Sequence, residues 1–166
     1  MAAKRLLLLR HGKSSWDDPT LADLDRPLAG RGRRAAARLG LWLREQDAVP
    51  ELVICSPAVR ARETLEQLGL PPEVPVRLDG DVYAGTAGDL LAVVRALPPH
   101  VDSAMVVGHN PAIEDLARML VAPALDTLEK VPTAGLVDLR FPGPGWDDVG
   151  PGPGRLEALI TPRALD

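Results

Sequence analysis

The chain has 166 residues, 46% of them hydrophobic and 25% charged, which fits one soluble domain spanning residues 1–166 with a core of its own. Nineteen basic against 23 acidic residues leave a net charge of −4, so no basic footprint points to nucleic acid, and no apolar run reaches the roughly 20 residues of a membrane span. The single cysteine excludes an internal disulfide, and Lys4-Arg5 is followed by only four leucines, too short for a signal-peptide core; a cytoplasmic location is expected.

In chain order, Leu6-Leu7-Leu8-Leu9 predicts a strand buried on both faces, and Arg10-His11-Gly12 stand where it reaches the surface. A guanidinium offers paired donors to phosphate oxygens, and an unprotonated imidazole can attack phosphorus. The plainer reading is a surface Arg-His pair in a strand-to-helix loop. Ser14 to Gly30 is polar and long for such a loop, and it carries Trp16. Ala35, Leu39, Trp42 and Leu43 give an amphipathic helix over 31–46, with Arg33, Arg34, Arg38 and Arg44 on its solvated side.

A second strand, 51–55, leads into Ser56-Pro57, read as N-cap and first helical position, and the helix ends at Gly69. A short strand over 74–78, a loop over 79–88 and a helix over 89–97 follow. The fourth strand, 103–107, exits at Gly108-His109-Asn110, and Asn110-Pro111 opens a helix with Ile113, Leu116, Ala117 and Leu120 on one face. Strands are expected over 135–141 and 156–161. Between them, 142–154 is rich in proline and glycine and reads as a disordered tongue or an exposed loop, with Trp146, like Trp16, a candidate for a protein-binding rim.

Alternating strands and helices predict a three-layer α/β/α domain with a largely parallel sheet, whose ligand site lies at the carboxyl ends of the strands. Three strand exits then share one edge: Arg10-His11, Ser56 through Arg60, and Gly108-His109. Two arginines, two histidines and two helix starts suit a phosphoryl dianion, with Ser14 a further candidate contact.

Leu9-Arg10-His11-Gly12-Lys13-Ser14 resembles the Arg-His-Gly signature of the histidine phosphatase superfamily, the phosphoglycerate mutase-like fold. Ser56-Pro57-Ala58-Val59-Arg60-Ala61-Arg62-Glu63-Thr64 resembles that family's second arginine motif, and Val107-Gly108-His109-Asn110-Pro111 its second histidine motif. Ser14-Ser15-Trp16-Asp17-Asp18, Asp25-Arg26-Pro27-Leu28 and the short length look most like the phosphohistidine phosphatase (SixA-like) branch, a minimal version of the fold without a large lid insertion. The resemblance implies that His11 is the nucleophile and is transiently phosphorylated, while Arg10, Arg60 and His109 hold the phosphoryl oxygens. It implies that the arginines lower the pKa of His11, and that neither metal nor other cofactor takes part.

One departure bears on the substrate. Mutase-type members carry a glutamate as general acid after the third strand; here Leu78-Asp79-Gly80-Asp81 has none, and Asp81 is the candidate substitute. An alkoxide leaving group needs a proton donor, whereas phosphohistidine departs as imidazole. The expected activity is therefore removal of the phosphoryl group from a protein histidine, such as that of a histidine-containing phosphotransfer domain, in a shallow and open pocket. The alternatives are a phosphatase or mutase for small phosphorylated metabolites, and a non-catalytic phosphoprotein-binding module. Neither nucleic acid nor membrane is an expected partner.

Overall fold

Leu6 to Leu9 form the middle of β1 (Lys4–Arg10), and none of the four is exposed. The computed structural model describes residues 3–121, 128–152 and 154–166. The remaining elements are α1 (Gly30–Glu45), β2 (Leu52–Cys55), α2 (Val59–Leu68), β3 (Val76–Leu78), α3 (Gly80–Ala84), α4 (Ala87–Arg95), β4 (Ser103–Gly108), α5 (Ala112–Leu120), β5 (Leu136–Phe141), β6 (Arg155–Ile160) and α6 (Pro162–Leu165).

The six strands form one sheet in the order β3-β2-β4-β1-β5-β6. The β1–β4, β2–β4 and β2–β3 pairs are parallel, and β5 runs antiparallel to both β1 and β6. Successive side chains of a strand point to opposite faces, which is why a continuous leucine run serves two cores at once. Leu6 and Leu8 pack with α4 and α5, and Leu7 and Leu9 pack with α1 and α2. This is the mostly parallel three-layer architecture expected from the alternation of elements.

Local signals account for several boundaries. Gly69 ends α2 in the left-handed conformation at φ 62°, and Thr86 with Asp89 forms a capping box at the start of α4. Three expectations need correction. Residues 80–84 are helical rather than loop, because the Asp79 carboxylate accepts the Asp81 amide and starts a turn. Ser56 is not the cap of α2; that position is Ala58, and the Ser56 hydroxyl is used elsewhere. The segment after β5 is neither a tongue nor an exposed loop at Trp146, which is 1% exposed. Its indole N–H donates to the Val101 carbonyl at 2.7 Å, Lys4 Nζ lies 5.7 Å from the ring centroid, and Arg95 donates to the Val149 carbonyl. A buried indole needs such a partner for its N–H, and local composition does not reveal it.

The two helices on one face approach closely at a glycine. A Cβ at Gly40 of α1 would run into the Leu68 carbonyl of α2. Gly40→Ala is therefore expected to lose about 2 kcal/mol of stability, because overpacking of up to about 3 kcal/mol outweighs a helix-propensity gain of about 1 kcal/mol. A urea midpoint at or above that of the parent chain would contradict this.

Candidate active site

Strand register brings the distant motifs to one point. Arg10 lies opposite Gly108 on β4, and Cys55 lies opposite Val107. The first residues beyond the strands are then neighbours: the His11 amide donates to the Gly108 carbonyl at 3.0 Å, and the Ser56 amide donates to the Val107 carbonyl at 3.0 Å. The start of β5 reaches the same edge, where the Ala134 amide donates to the Arg10 and His11 carbonyls at 3.0 and 2.9 Å. The His11 and His109 ring centroids are 5.0 Å apart, and both side chains are under a tenth exposed.

The imidazoles are held differently. His11 Nδ1 is 2.7 Å from the Gly12 carbonyl, an acceptor only, so in the neutral ring Nδ1 carries the proton and Nε2 keeps its lone pair. The Gly12 amide donates to Thr64 Oγ1 at 2.9 Å, and Thr64 donates to the Arg60 carbonyl one turn earlier, which ties the His11 loop to α2. Side-chain bulk at Gly12 is excluded by the Gly32 backbone, 3.0 Å from where a Cβ would sit. His109 Nε2 is 2.8 Å from Ser56 Oγ, which already accepts the Ala58 amide. The Ser56 proton is then free to point at Nε2, placing the His109 proton on Nδ1.

Burial pushes the His11 pKa down to about 4, with the charges of Arg60, Arg10 and Arg26 adding to the effect. Burial likewise pushes His109 to about 3, with His11 and Arg60 contributing. The expected lowering of His11 is thus present, but desolvation leads and the arginines come second.

Arg60 is 6% exposed, and the two ends of its guanidinium donate to Asp23, at 2.6 Å to the carbonyl and 3.0 Å to the carboxylate. The Asp23 carboxylate also accepts from Arg26 and from the Tyr83 hydroxyl, at 2.9 and 2.8 Å. These donors, Arg26 first, hold it well below the usual carboxylate range. Arg10 donates to the Val131 carbonyl, and its burial lowers its pKa, against which Glu114 acts. After these contacts, Arg10 Nε, Arg60 Nε and His109 Nδ1 are still buried without a hydrogen-bond partner on the described residues. Arg38 Nε and Arg140 Nε are likewise unpartnered, so it is the nearness of Arg10, Arg60 and His109 to His11, whose pKa they or their neighbours help lower, that suits these three atoms to acceptor oxygens.

The other predicted residues fare differently. Ser14 Oγ accepts from Arg26 Nη1, so its hydroxyl is engaged within the 14–30 segment. Arg26 also stacks on the exposed Trp16, 3.9 Å from its centroid. Asp81 lies on the exposed side of α3; from that segment it is Tyr83 that meets the site, its ring edge-on to His109 at 5.5 Å. Asp23 is laid on Arg60 at the edge of the expected open pocket. Glu63, within the second arginine motif, accepts the Leu28 amide at 2.8 Å and fastens the end of that segment. Asp23 and Tyr83 were missed as site neighbours, and Ser56, placed at the shared strand edge, was read as a helix cap rather than as a partner of His109. Only Ser56, buried at a strand exit, carried a local signal; the other two arrive through long-range packing.

The neutral histidines predict a pH response. The unfolded chain binds protons near pH 6.5, whereas the native chain binds them only near 4 at His11 and 3 at His109. Between these limits the unfolded state holds more protons, so stability rises with pH, and acidifying from 7 towards 4 lowers it. Below that, protonation of Asp23 removes a further contribution. Imidazole C–H resonances of His11 and His109 are expected to stay put between pH 7.5 and 5.5, and the urea midpoint to fall over the same range. Titration of both rings near 6.5 would contradict the burial argument.

A family model described as the histidine phosphatase superfamily (branch 1) matches residues 6–83. An uncharacterized protein of Mycobacterium tuberculosis (strain ATCC 25618 / H37Rv) is 38% identical over 162 residues, which is 93% of this chain and 100% of that protein. The phosphohistidine phosphatase SixA of Escherichia coli (strain K12) is 32% identical over 114 residues, 66% of this chain and 69% of that one. Among solved structures, the protein histidine phosphatase SixA complexed with tungstate superposes with a TM-score of 0.82 at 25% identity, over 98% of this chain and 99% of the other.

Proposed function

Because the chain belongs to the histidine phosphatase superfamily and is a phosphatase, we propose that its substrate is phosphohistidine in a protein and that His11 is phosphorylated in passing. The observation that carries this reading is the meeting of a neutral His11, its Nε2 lone pair free, with three buried and unpartnered N–H donors on Arg10, Arg60 and His109. The likeness to SixA over most of the chain supports the protein-histidine substrate.

In the first step the His11 Nε2 lone pair forms a bond to phosphorus while the substrate's N–P bond breaks. The substrate ring, protonated on its other nitrogen, leaves as neutral imidazole without needing an acid. His11 thereby becomes a cationic ring with Nδ1–H against the Gly12 carbonyl, which favours the charge. Arg10, Arg60 and His109 face the equatorial oxygens, whose charge is matched by fixed and buried donors. In the second step water attacks phosphorus, the electron pair of the His11 N–P bond returns to Nε2, and phosphate leaves as H2PO4−. Asp81, the candidate general acid, has no step to perform on this route.

The test is turnover of a phosphohistidine peptide against a set of alkyl and aryl phosphates. We expect kcat/KM for the phosphohistidine peptide to exceed that for alkyl phosphates by at least tenfold. Equal or faster hydrolysis of a small alkyl phosphate overturns the reading in favour of a metabolite phosphatase.

A further inference from the structure

A second feature adjoins the constellation. A cleft of roughly 1100 Å3 shares Arg10 with it but is not lined by His11, Arg60 or His109. One wall is the face of α1 carrying Arg31, Arg34 and Arg38, spaced three and four residues apart and hence stacked along the helix. Lys13, Lys130 and Arg163 come from three other segments. With Arg10 these make, among the described residues, seven cationic side chains against three carboxylates, in a chain whose net charge is −4. Two of the three carboxylates are already engaged, Glu114 with Arg118 and Asp166 with Arg38. Among the described residues, Lys13, Arg31, Arg34, Lys130 and Arg163 have no ion-pair or side-chain hydrogen-bond partner. Arg34 and Arg38, read from the sequence as part of a solvated face, thus belong with Arg31 to a concave and predominantly cationic surface. Such a cleft focuses its field and draws oppositely charged partners.

We propose that this cleft docks an acidic surface of the phosphoprotein substrate, next to the phosphohistidine delivered to His11. The proposal rests on the phosphatase reading above and adds to it the chemistry of the substrate's surroundings. Three observations favour a protein face over a small polyanion or a nucleic acid. The row from Arg31 to Arg38 spans about 10 Å at 1.5 Å per residue, more than a single additional phosphate can bridge. The volume exceeds that of ordinary small-ligand pockets, about 300–1000 Å3. Among the described residues no aromatic side chain lines the cleft, so bases have nothing to stack on. Arginine dominates the lining, and its fork pairs two oxygens of a carboxylate.

The test uses the full chain and two synthetic phosphohistidine peptides, identical except that four flanking residues are Glu in one and Gln in the other. kcat/KM for the Glu peptide is expected to exceed that for the Gln peptide at least tenfold, mainly through KM, with the advantage shrinking as salt is added. In the charge-reversal variant Arg31→Glu/Arg34→Glu, both sites being exposed, the advantage is expected to vanish. Equal values for the two peptides in the parent chain, or an advantage that survives the charge reversal, overturn the docking proposal and leave the phosphatase reading intact. If neither peptide is turned over, the phosphatase reading fails. Docking is then decided by fluorescence anisotropy with the same peptides unphosphorylated and labelled. Tenfold tighter binding of the Glu peptide supports it, and equal binding, or tighter binding of a 12-nucleotide single strand, overturns it.

Discussion

Replacing His11 with alanine is expected to lower kcat/KM by on the order of 10^4-fold or more, as loss of a catalytic nucleophile does in other covalent enzymes. The size follows from the proposed route, since among the described residues no other group is placed to take the phosphoryl. His109, the other neutral imidazole, has its Nε2 engaged by Ser56 and its Nδ1 buried. Brief incubation with labelled phosphohistidine peptide and acid-free quenching is expected to leave label on the parent chain and none on His11→Ala. The variant is expected to fold: His11 is neutral and buried, and its removal leaves the backbone bonds of its loop to Gly108, Thr64 and Ala134 in place. Activity within tenfold of the parent would remove His11 from the reaction, and label retained on His11→Ala would place the intermediate elsewhere.

Arg60→Ala is expected to cost about 3–4 kcal/mol of transition-state stabilisation, a loss of about 10^2–10^3 in kcat/KM, by analogy with deletion of one oxyanion donor. Arg60 has two potential jobs here. It is a buried cation with an unpartnered Nε, and it also anchors Asp23. The two separate in Asp23→Ala, which removes the carboxylate from the guanidinium but keeps the cation. If Arg60 acts on the phosphoryl group, Asp23→Ala retains activity within about tenfold, and inorganic phosphate inhibits it more strongly because a competing anion has gone. If Arg60 acts only by holding the 14–30 segment, both variants lose activity alike. A rate for Arg60→Ala within about twofold of the parent would remove it from the site altogether.

What could be read before folding was local. The leucine run announced β1, Gly69 announced the end of α2, and the i, i+3, i+4, i+7 stripe from Ile113 to Leu120 announced α5. Each depends on side chains within a turn or two of one another, so periodicity and capping chemistry suffice. The three motifs likewise sit just beyond strand ends, and parallel pairing needs only strand order to bring them together. Arg10, His11, Arg60 and His109, the groups proposed to meet a phosphoryl ligand, could all be picked out from the sequence itself.

The rest was decided by contacts between residues far apart in the chain. Tyr83 reaches Asp23 across 60 positions, and Asp23 reaches Arg60 across 37, so the carboxylate on the arginine leaves no short-range trace. Trp146 looks like an exposed aromatic in a proline-rich stretch until the Val101 carbonyl, 45 residues earlier, receives its N–H. The depth at which His11 and His109 sit, and hence their low pKa values, depends on how four segments close over one sheet edge. The sequence determined the fold class and pointed to the proposed reacting groups because short-range patterning carries both signals. Tertiary structure alone decided the protonation of those groups, the counter-charge on Arg60 and the predominantly cationic cleft beside them, because desolvation and charge summation are properties of packed neighbours.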